Sequence, residues 1–302
     1  MTRFLLATSL VTAIAAGNAL TIGLSQSAVR LTVAVTESDS LRPVRGLTAS
    51  DFDVVVDGRP APISTISSPP ITLVIAAVFD LSASANDRVL EPPRDFTHEV
   101  DADLLSRLAP DDRFAFGVFG DTISFSGFLP SDRRARVAAV QAGFKNGAIG
   151  RNGPSRIWDA VDSVVAALAN QPGRRAILLV TDGRATGNRI GLDELIHRAQ
   201  ATDVAIAVVA NGAGFMAPPH PEALLTPYSA LIKLASETGG FRVGDPGDSY
   251  KRQRQPTEFF AALVSALRSS YVVELAAVPT TGTHHVDVRV KPGTEAHVRS
   301  AY

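Results

Sequence analysis

The sequence predicts an α/β fold: a doubly wound, mainly parallel sheet flanked by helices, with a small β domain formed by the N- and C-terminal strands. Three observations predict this fold. Nearly continuous apolar runs, such as 71–79 and 176–180, are typical of strands buried on both faces. Segments with helical apolar spacing alternate with such runs between residues 70 and 270. Short strand-like segments with alternating polarity stand at both ends of the chain.

Composition excludes several classes of function. The chain has 302 residues, of which 45% are hydrophobic and 20% charged, as expected for one or two domains with buried cores. The net charge is −1 and no basic block is present, so we expect no nucleic-acid partner. The absence of cysteine excludes disulfides, thiolate catalysis, zinc–thiolate sites and iron–sulfur clusters.

Residues 1–28 have the pattern of a signal peptide. Arg3 provides a positive start, an uncharged, largely apolar stretch follows, and small residues end the segment before Arg30. An uncleaved N-terminal anchor is the alternative, because the uncharged stretch is long enough to cross a bilayer. No later segment is apolar enough to span a membrane. We therefore expect an exported protein, periplasmic or secreted, with no membrane span after the signal segment.

The segment 29–69 is expected to be the N-terminal part of the β domain. It contains the predicted strands 29–36, 52–56 and 62–66, and Asp57-Gly58 is a strong turn signal after the second. Pro69-Pro70 marks its end.

Residues 70–270 are expected to form the α/β domain. The predicted strands cover 71–79, 113–119, 123–128, 176–180, 204–209 and 241–243. Helices are predicted from about residue 95 (after a break at Pro92-Pro93), from 131, and over 157–168, 191–201, 224–236 and 259–267. In the helix from 131, the spacing predicts outward-facing Arg133, Arg134 and Arg136.

The tail 271–302 is predicted to contain three short strands that pair with residues 29–69. They cover 271–276, 285–290 and 296–302.

Hydroxyl and carboxylate side chains follow the buried strands, where an open α/β sheet binds its ligands. Asp80, Ser82 and Ser84 follow the first buried strand, and Asp182 follows the strand 176–180. A polar loop at 150–155, ending in Ser155, precedes a predicted helix. Hard oxygen atoms of this kind suit Mg²⁺, with Mn²⁺ as the alternative.

These motifs resemble the metal-ion-dependent adhesion site of von Willebrand factor type A (VWA) domains, whose fold is Rossmann-like. The matching segments are Asp80-Leu81-Ser82-Ala83-Ser84 and Thr181-Asp182-Gly183. Further segments resemble bacterial exported "VWFA-related" proteins, and they cover 42–52, 153–160 and 238–240. The resemblance extends over about residues 29–302.

The resemblance implies a metal-dependent, non-enzymatic adhesion protein. Ser82 and Ser84 would be direct ligands, Asp80 and Asp182 would act mainly through water, and Ser155 stands where the family has threonine. An Asp or Glu carboxylate of a protein partner would complete the metal shell.

Other interpretations of the same residues remain. Asp80, Ser82 and Ser84 could instead cap a helix, Ser155 could be an N-cap, and Asp182 could form a turn before Gly183. A Mg²⁺-dependent phosphohydrolase would use Asp80 as its nucleophile, although enzymes of that kind have a second carboxylate where Ser82 stands. A scaffold with a decayed metal site is the third alternative.

Overall fold

The computed structural model describes residues 29–38, 40–85, 96–147, 154–210, 226–243 and 256–302. The predicted signal peptide or anchor at 1–28 lies outside these ranges, as does Pro92-Pro93.

The strands and helices follow the predicted order. The strands are β1 (Val29–Glu37), β2 (Phe52–Val56), β3 (Arg59–Pro60), β4 (Ile63–Ser67), β5 (Leu73–Asp80), β6 (Arg113–Phe119), β7 (Ile123–Leu129), β8 (Arg174–Thr181), β9 (Val204–Ala210), β10 (Arg242–Val243), β11 (Tyr271–Leu275), β12 (Val286–Val290) and β13 (Thr294–His297). The helices are α1 (Thr97–Glu99), α2 (Arg133–Gly147), α3 (Ile157–Leu168), α4 (Leu192–Ala201), α5 (Pro227–Glu237) and α6 (Pro256–Arg268). Helix α1 continues as a π-helical turn over Val100–Leu104 and a 3-10 turn over Leu105–Arg107.

The main sheet has the strand order β10-β9-β8-β5-β6-β7. All neighbours are parallel except the antiparallel edge strand β7. Every residue of β5 is buried, as its continuous apolar run predicts. Alternate residues of β5 point to opposite faces of the sheet, where one core includes side chains of α2 and α6 and the other side chains of α3, α4 and α5. The predicted fold class is confirmed by this arrangement.

The two ends of the chain form the antiparallel β sheets. Strand β1 pairs with β11 and β13, β4 pairs with β11, and β2 pairs with β12. A third hydrophobic core fills the space between these sheets and includes Leu31, Val54 and Val273. The C-terminal tail therefore lies beside the N-terminal segment, as the sequence predicts.

One side-chain prediction is wrong. Arg136 of α2 does not face outward, since only 4% of it is exposed. Its Nε donates to the carbonyl of Pro130 at 2.7 Å, and its Nη2 donates to the carbonyl of Asp112 at 3.0 Å. Loop carbonyls that have no strand partner attract the guanidinium inward.

Helix α5 begins later than the sequence predicts. The expected start at 224 lies outside the described residues. Thr226 is the N-cap, where its hydroxyl accepts the backbone N–H of Ser229 at 3.0 Å, and Pro227 occupies the first turn. Among the described helices, none combines the length and the apolar character needed to cross a membrane.

Candidate metal centre

Asp80 is the last residue of β5 and sits at the carboxyl edge of the sheet. The preceding residue, Phe79, packs its ring against Phe144, with centroids 5.0 Å apart. The following residue, Leu81, donates its backbone N–H to the carbonyl of Phe119 on the neighbouring strand at 2.7 Å. The position of Asp80 is therefore set from both sides by the core and by the sheet.

The Asp80 carboxylate is buried and joins three segments of the chain. Its Oδ1 accepts the backbone N–H of Ser82 at 2.9 Å. Its Oδ2 accepts the hydroxyls of Thr181 at 2.6 Å and Ser155 at 3.1 Å. This carboxylate thus contacts the ends of β5 and β8 and the segment before α3. The carboxyl ends of neighbouring parallel strands are expected to meet in this way.

Ser82 and Ser84 lie together beside Asp80. Ser82 is buried and Ser84 half-buried, and their hydroxyl oxygens are 3.2 Å apart. The spacing of two residues therefore places both hydroxyls on the same side of the loop.

Asp182 follows β8 and none of its surface is exposed. Its Oδ1 accepts the backbone N–H of Arg184 at 2.9 Å. Its Oδ2 is buried, and no donor of the described residues lies within hydrogen-bond distance of it, although the Ser84 hydroxyl is near enough to act on the Asp182 carboxyl. A buried carboxylate oxygen without a partner is costly unless a cation or proton reaches it.

Both carboxyls hold their protons more tightly than usual. Burial raises the pKa of Asp80, although hydrogen bonds from Thr181, Ser82 and Ser155 oppose the rise. Burial also raises the pKa of Asp182, and the negative charge of Asp80 raises it further, while Arg184 and the Ser84 hydroxyl act in the opposite direction. The two carboxyls are therefore close enough to repel each other when ionised.

Two further contacts fix Ser155 in place. Its N–H donates to the hydroxyl of Thr186 at 2.9 Å, and the N–H of Thr186 donates to its carbonyl at 2.8 Å. Nearby, Asp159 accepts the backbone N–H of Arg189 at 2.9 Å and supports the loop after β8, rather than pointing at the other carboxyls. Residues 150–153 of the predicted polar loop lie outside the described ranges.

The donor set suits a hard divalent cation. The structure brings all five predicted residues, namely Asp80, Ser82, Ser84, Ser155 and Asp182, into one cluster. Within the described part of the chain, no group of three or more His, Cys, Asp or Glu side chains could hold a metal. A cation at this cluster would therefore depend on hydroxyl oxygens and water as well as on the two carboxylates.

Thr181 belongs to the matching segment Thr181-Asp182-Gly183, but its role at the site was not predicted. Its side chain is fully buried, and its hydroxyl both donates to Asp80 and accepts the N–H of Gly183 at 3.1 Å. The available signal was its position as the last residue of a buried strand, directly before Asp182.

Comparisons with known proteins give structural similarity alone. No protein-family model and no curated protein matches the chain. Similar solved structures include a conserved hypothetical protein, BatB, from Bacteroides thetaiotaomicron, at 19% identity and TM-score 0.43 over 63% of this chain and 98% of that one. An aerotolerance-related membrane protein from Bacteroides fragilis has 17% identity and TM-score 0.45 over 64% and 98% of the two chains. The VWA domain of SpRpn10 has 16% identity and TM-score 0.39 over 65% and 93%. The fold assignment itself rests on the sheet order and strand registers given above.

Proposed function

We propose that this protein binds a divalent cation of the Mg²⁺ class and uses it to bind an acidic group of a protein partner. The observation that carries the proposal is the buried Oδ2 of Asp182, which has no donor within hydrogen-bond distance and lies beside a second buried carboxylate. A divalent cation would interact favourably with that oxygen, and its charge would offset the repulsion between the Asp80 and Asp182 carboxylates. Ser82 and Ser84 would contact the cation directly, while Asp80, Asp182 and Ser155 would hold it mainly through water and hydrogen bonds.

The chemistry of the donor set explains the adhesion role. Hydroxyl ligands leave the positive charge of the cation less neutralised than carboxylate ligands do. The remaining charge would favour an Asp or Glu side chain from another protein. The signal-like segment 1–28 supports an exported protein, periplasmic or secreted, as the context for such binding.

A hydrolase that uses Asp80 as its nucleophile is less well supported. Both oxygens of Asp80 already accept hydrogen bonds, from Ser82, Thr181 and Ser155. We therefore propose a binding protein rather than an enzyme.

Calorimetric titration of Mg²⁺ and Mn²⁺ into the purified protein tests the cation site. We expect about one ion per chain with a submillimolar dissociation constant, and loss of binding in Asp182→Asn. Asp287→Asn, at an exposed position on β12, is the matched control and should bind as the wild type does. No heat at about 10 mM cation, where a submillimolar site would be nearly full, would contradict the proposal and favour the scaffold with a decayed site.

The partner chemistry needs a separate test. Surfaces carrying a glutamate-rich peptide should retain the protein in Mg²⁺ and release it in a chelator, whereas a glutamine-rich peptide should retain it in neither. Equal retention on both peptides would contradict carboxylate recognition. Turnover of a phosphate ester that is lost in Asp80→Asn would instead support the hydrolase.

A further inference from the structure

Three arginine side chains converge on one carboxylate at the amino end of β8, opposite the candidate metal centre. Arg174 Nη1 lies 3.4 Å from Asp203 Oδ1, and Arg175 Nη2 lies 3.9 Å from Asp203 Oδ2. Arg299, from the tail beyond β13, places its Nε 3.8 Å from Asp203 Oδ1. Among the described residues, Asp203 is the only acidic side chain that forms an ion pair with these three arginines.

The arginines keep donors that nothing in the described part of the chain satisfies. Arg174 is almost fully buried, with 3% of its side chain exposed, yet its Nε and Nη2 have no hydrogen-bond partner. The Nε atoms of Arg175 and Arg299 are also buried and have no hydrogen-bond partner, although Arg299 Nε lies within ion-pair distance of Asp203. Buried guanidinium donors are costly to leave unpaired, so the cluster favours an added acceptor.

Backbone contacts hold the outer two arginines in place. Arg175 Nη1 donates to the carbonyl of Gln171 at 3.0 Å, in the turn after α3. Arg299 Nη1 donates to the carbonyl of Gln200 at 2.8 Å, near the end of α4. These contacts orient the guanidinium groups and leave their Nε atoms without a hydrogen-bond acceptor. Guanidinium groups held in this way suit carboxylates and phosphates, to which one arginine can donate two parallel hydrogen bonds.

Charge balance points the same way. Three guanidinium groups face a single carboxylate, so two positive charges remain without a neighbouring acidic side chain in the described structure. Burial and the charges of Arg299 and Arg175 lower the pKa of Arg174, and Asp203 only partly offsets them. The two unbalanced positive charges match a dianion better than a single carboxylate.

We propose that Arg174, Arg175 and Arg299 form a binding site for a tetrahedral dianion of the phosphate or sulfate class. Arg174 is the most buried of the three arginines, whereas Arg175, Arg299 and Asp203 are partly exposed, with 29% of the Asp203 side chain accessible. Asp203 holds the arginines together and opposes the anion electrostatically. Because the tail supplies Arg299, anion binding would also fasten the C-terminal segment to the main sheet.

Thermal unfolding of the full chain in chelator tests this proposal without involving the metal centre. Unfolding is followed in about 50 mM phosphate and in sodium chloride of equal ionic strength. For a dissociation constant near 1 mM, phosphate should raise the midpoint by about 5 °C. Arg299→Gln should lose most of this shift, whereas Asp203→Asn should keep or enlarge it, because the competing charge is removed. Arg289→Gln, on an exposed strand position, is the matched control and should keep the full shift.

Three results would overturn the proposal. Equal midpoints in phosphate and chloride would show that no oxyanion binds. A full phosphate shift in Arg299→Gln would place the anion elsewhere on the molecule. An equal shift in acetate would indicate a monocarboxylate site instead of a phosphate-class site. If Arg299→Gln does not fold, a loss of the phosphate shift in Arg175→Gln supports the proposal, and an unchanged shift contradicts it.

Discussion

Replacing Asp182 by asparagine should stabilise the protein in the absence of metal. Asparagine keeps the side-chain oxygen that accepts the N–H of Arg184, and it removes the negative charge that Asp80 opposes. It also replaces the unpartnered Oδ2 with an amide that is much less costly to bury. Most substitutions at fully buried polar positions destabilise a protein, so a gain here would be diagnostic of an unsatisfied charge.

The magnitude follows from the cost of the buried oxygen. An unsatisfied buried acceptor costs about 1–3 kcal/mol, and more when it is charged. Allowing for imperfect fit of the amide, we expect a net gain of roughly 1–2 kcal/mol in chelator, or about 4 °C in the unfolding midpoint. In saturating Mg²⁺ the order of stability should reverse. At 100 times its dissociation constant, Mg²⁺ should stabilise the wild type by about 3 kcal/mol and leave the variant unchanged.

Urea and thermal unfolding of both proteins, in chelator and in Mg²⁺, measure these four stabilities. The expected pattern is a crossover: the variant is the more stable protein in chelator and the less stable one in Mg²⁺. If Asp182→Asn is less stable than the wild type in chelator, the carboxylate is a stabilising turn residue and the argument from its unpartnered oxygen is wrong. A wild type that does not respond to Mg²⁺ would remove the cation from the argument altogether.

Three further predictions concern the rest of the fold. Hydrogen bonding to Asp57 raises the pKa of His284 in the folded protein. The contribution of His284 to the free energy of unfolding is therefore complete below about pH 6.5 and is lost as the pH rises through the raised value. Urea midpoints should fall between pH 5 and pH 9, and they should fall less steeply in His284→Asn. Gly240→Ala should prevent folding or cost several kcal/mol, because an added Cβ would lie 1.9 Å from a carbonyl oxygen of β9, whereas Gly191→Ala meets nothing within 4 Å and should change the midpoint little. Asp112→Asn should cost about 1–3 kcal/mol in urea unfolding, because this buried carboxylate pairs with Arg268 of α6, whose side chain is partly exposed; no loss would show that the pair is dispensable.

The sequence allowed the fold to be predicted wherever burial leaves a strong pattern. The run before Asp80 is apolar at nearly every position because β5 is covered on both faces, and such a run indicates a buried strand without further information. The meeting of Asp80 and Asp182 was predictable for a similar reason, since the carboxyl ends of neighbouring parallel strands share one edge.

Side-chain contacts between distant segments left no comparable pattern. The helical period places Arg136 outward, and only the three-dimensional position of two loop carbonyls turns it inward. The convergence of Arg174 and Arg299 depends on the C-terminal tail lying against the ends of α4 and α5, which no local periodicity records. The role of Thr181 was not predicted, because a threonine at the end of a buried strand is ordinary until its hydroxyl is seen to bond to Asp80.

Strand β8 connects the two proposed sites and also separates them. Arg174 begins the strand, and Thr181 ends it at the carboxylate cluster. At about 3.3 Å per residue, the two ends are roughly 23 Å apart, a distance at which two unit charges interact by less than about 1 kcal/mol at an effective dielectric constant of about 20. Substitutions at the two ends should therefore have additive effects on stability, and Mg²⁺ should not change the phosphate shift by direct electrostatics. Any coupling between the two ligands would have to be transmitted by the buried strand and the helices packed on it. The stabilisation by both ligands together, compared with the sum of their separate effects, therefore tests whether this core transmits a conformational change.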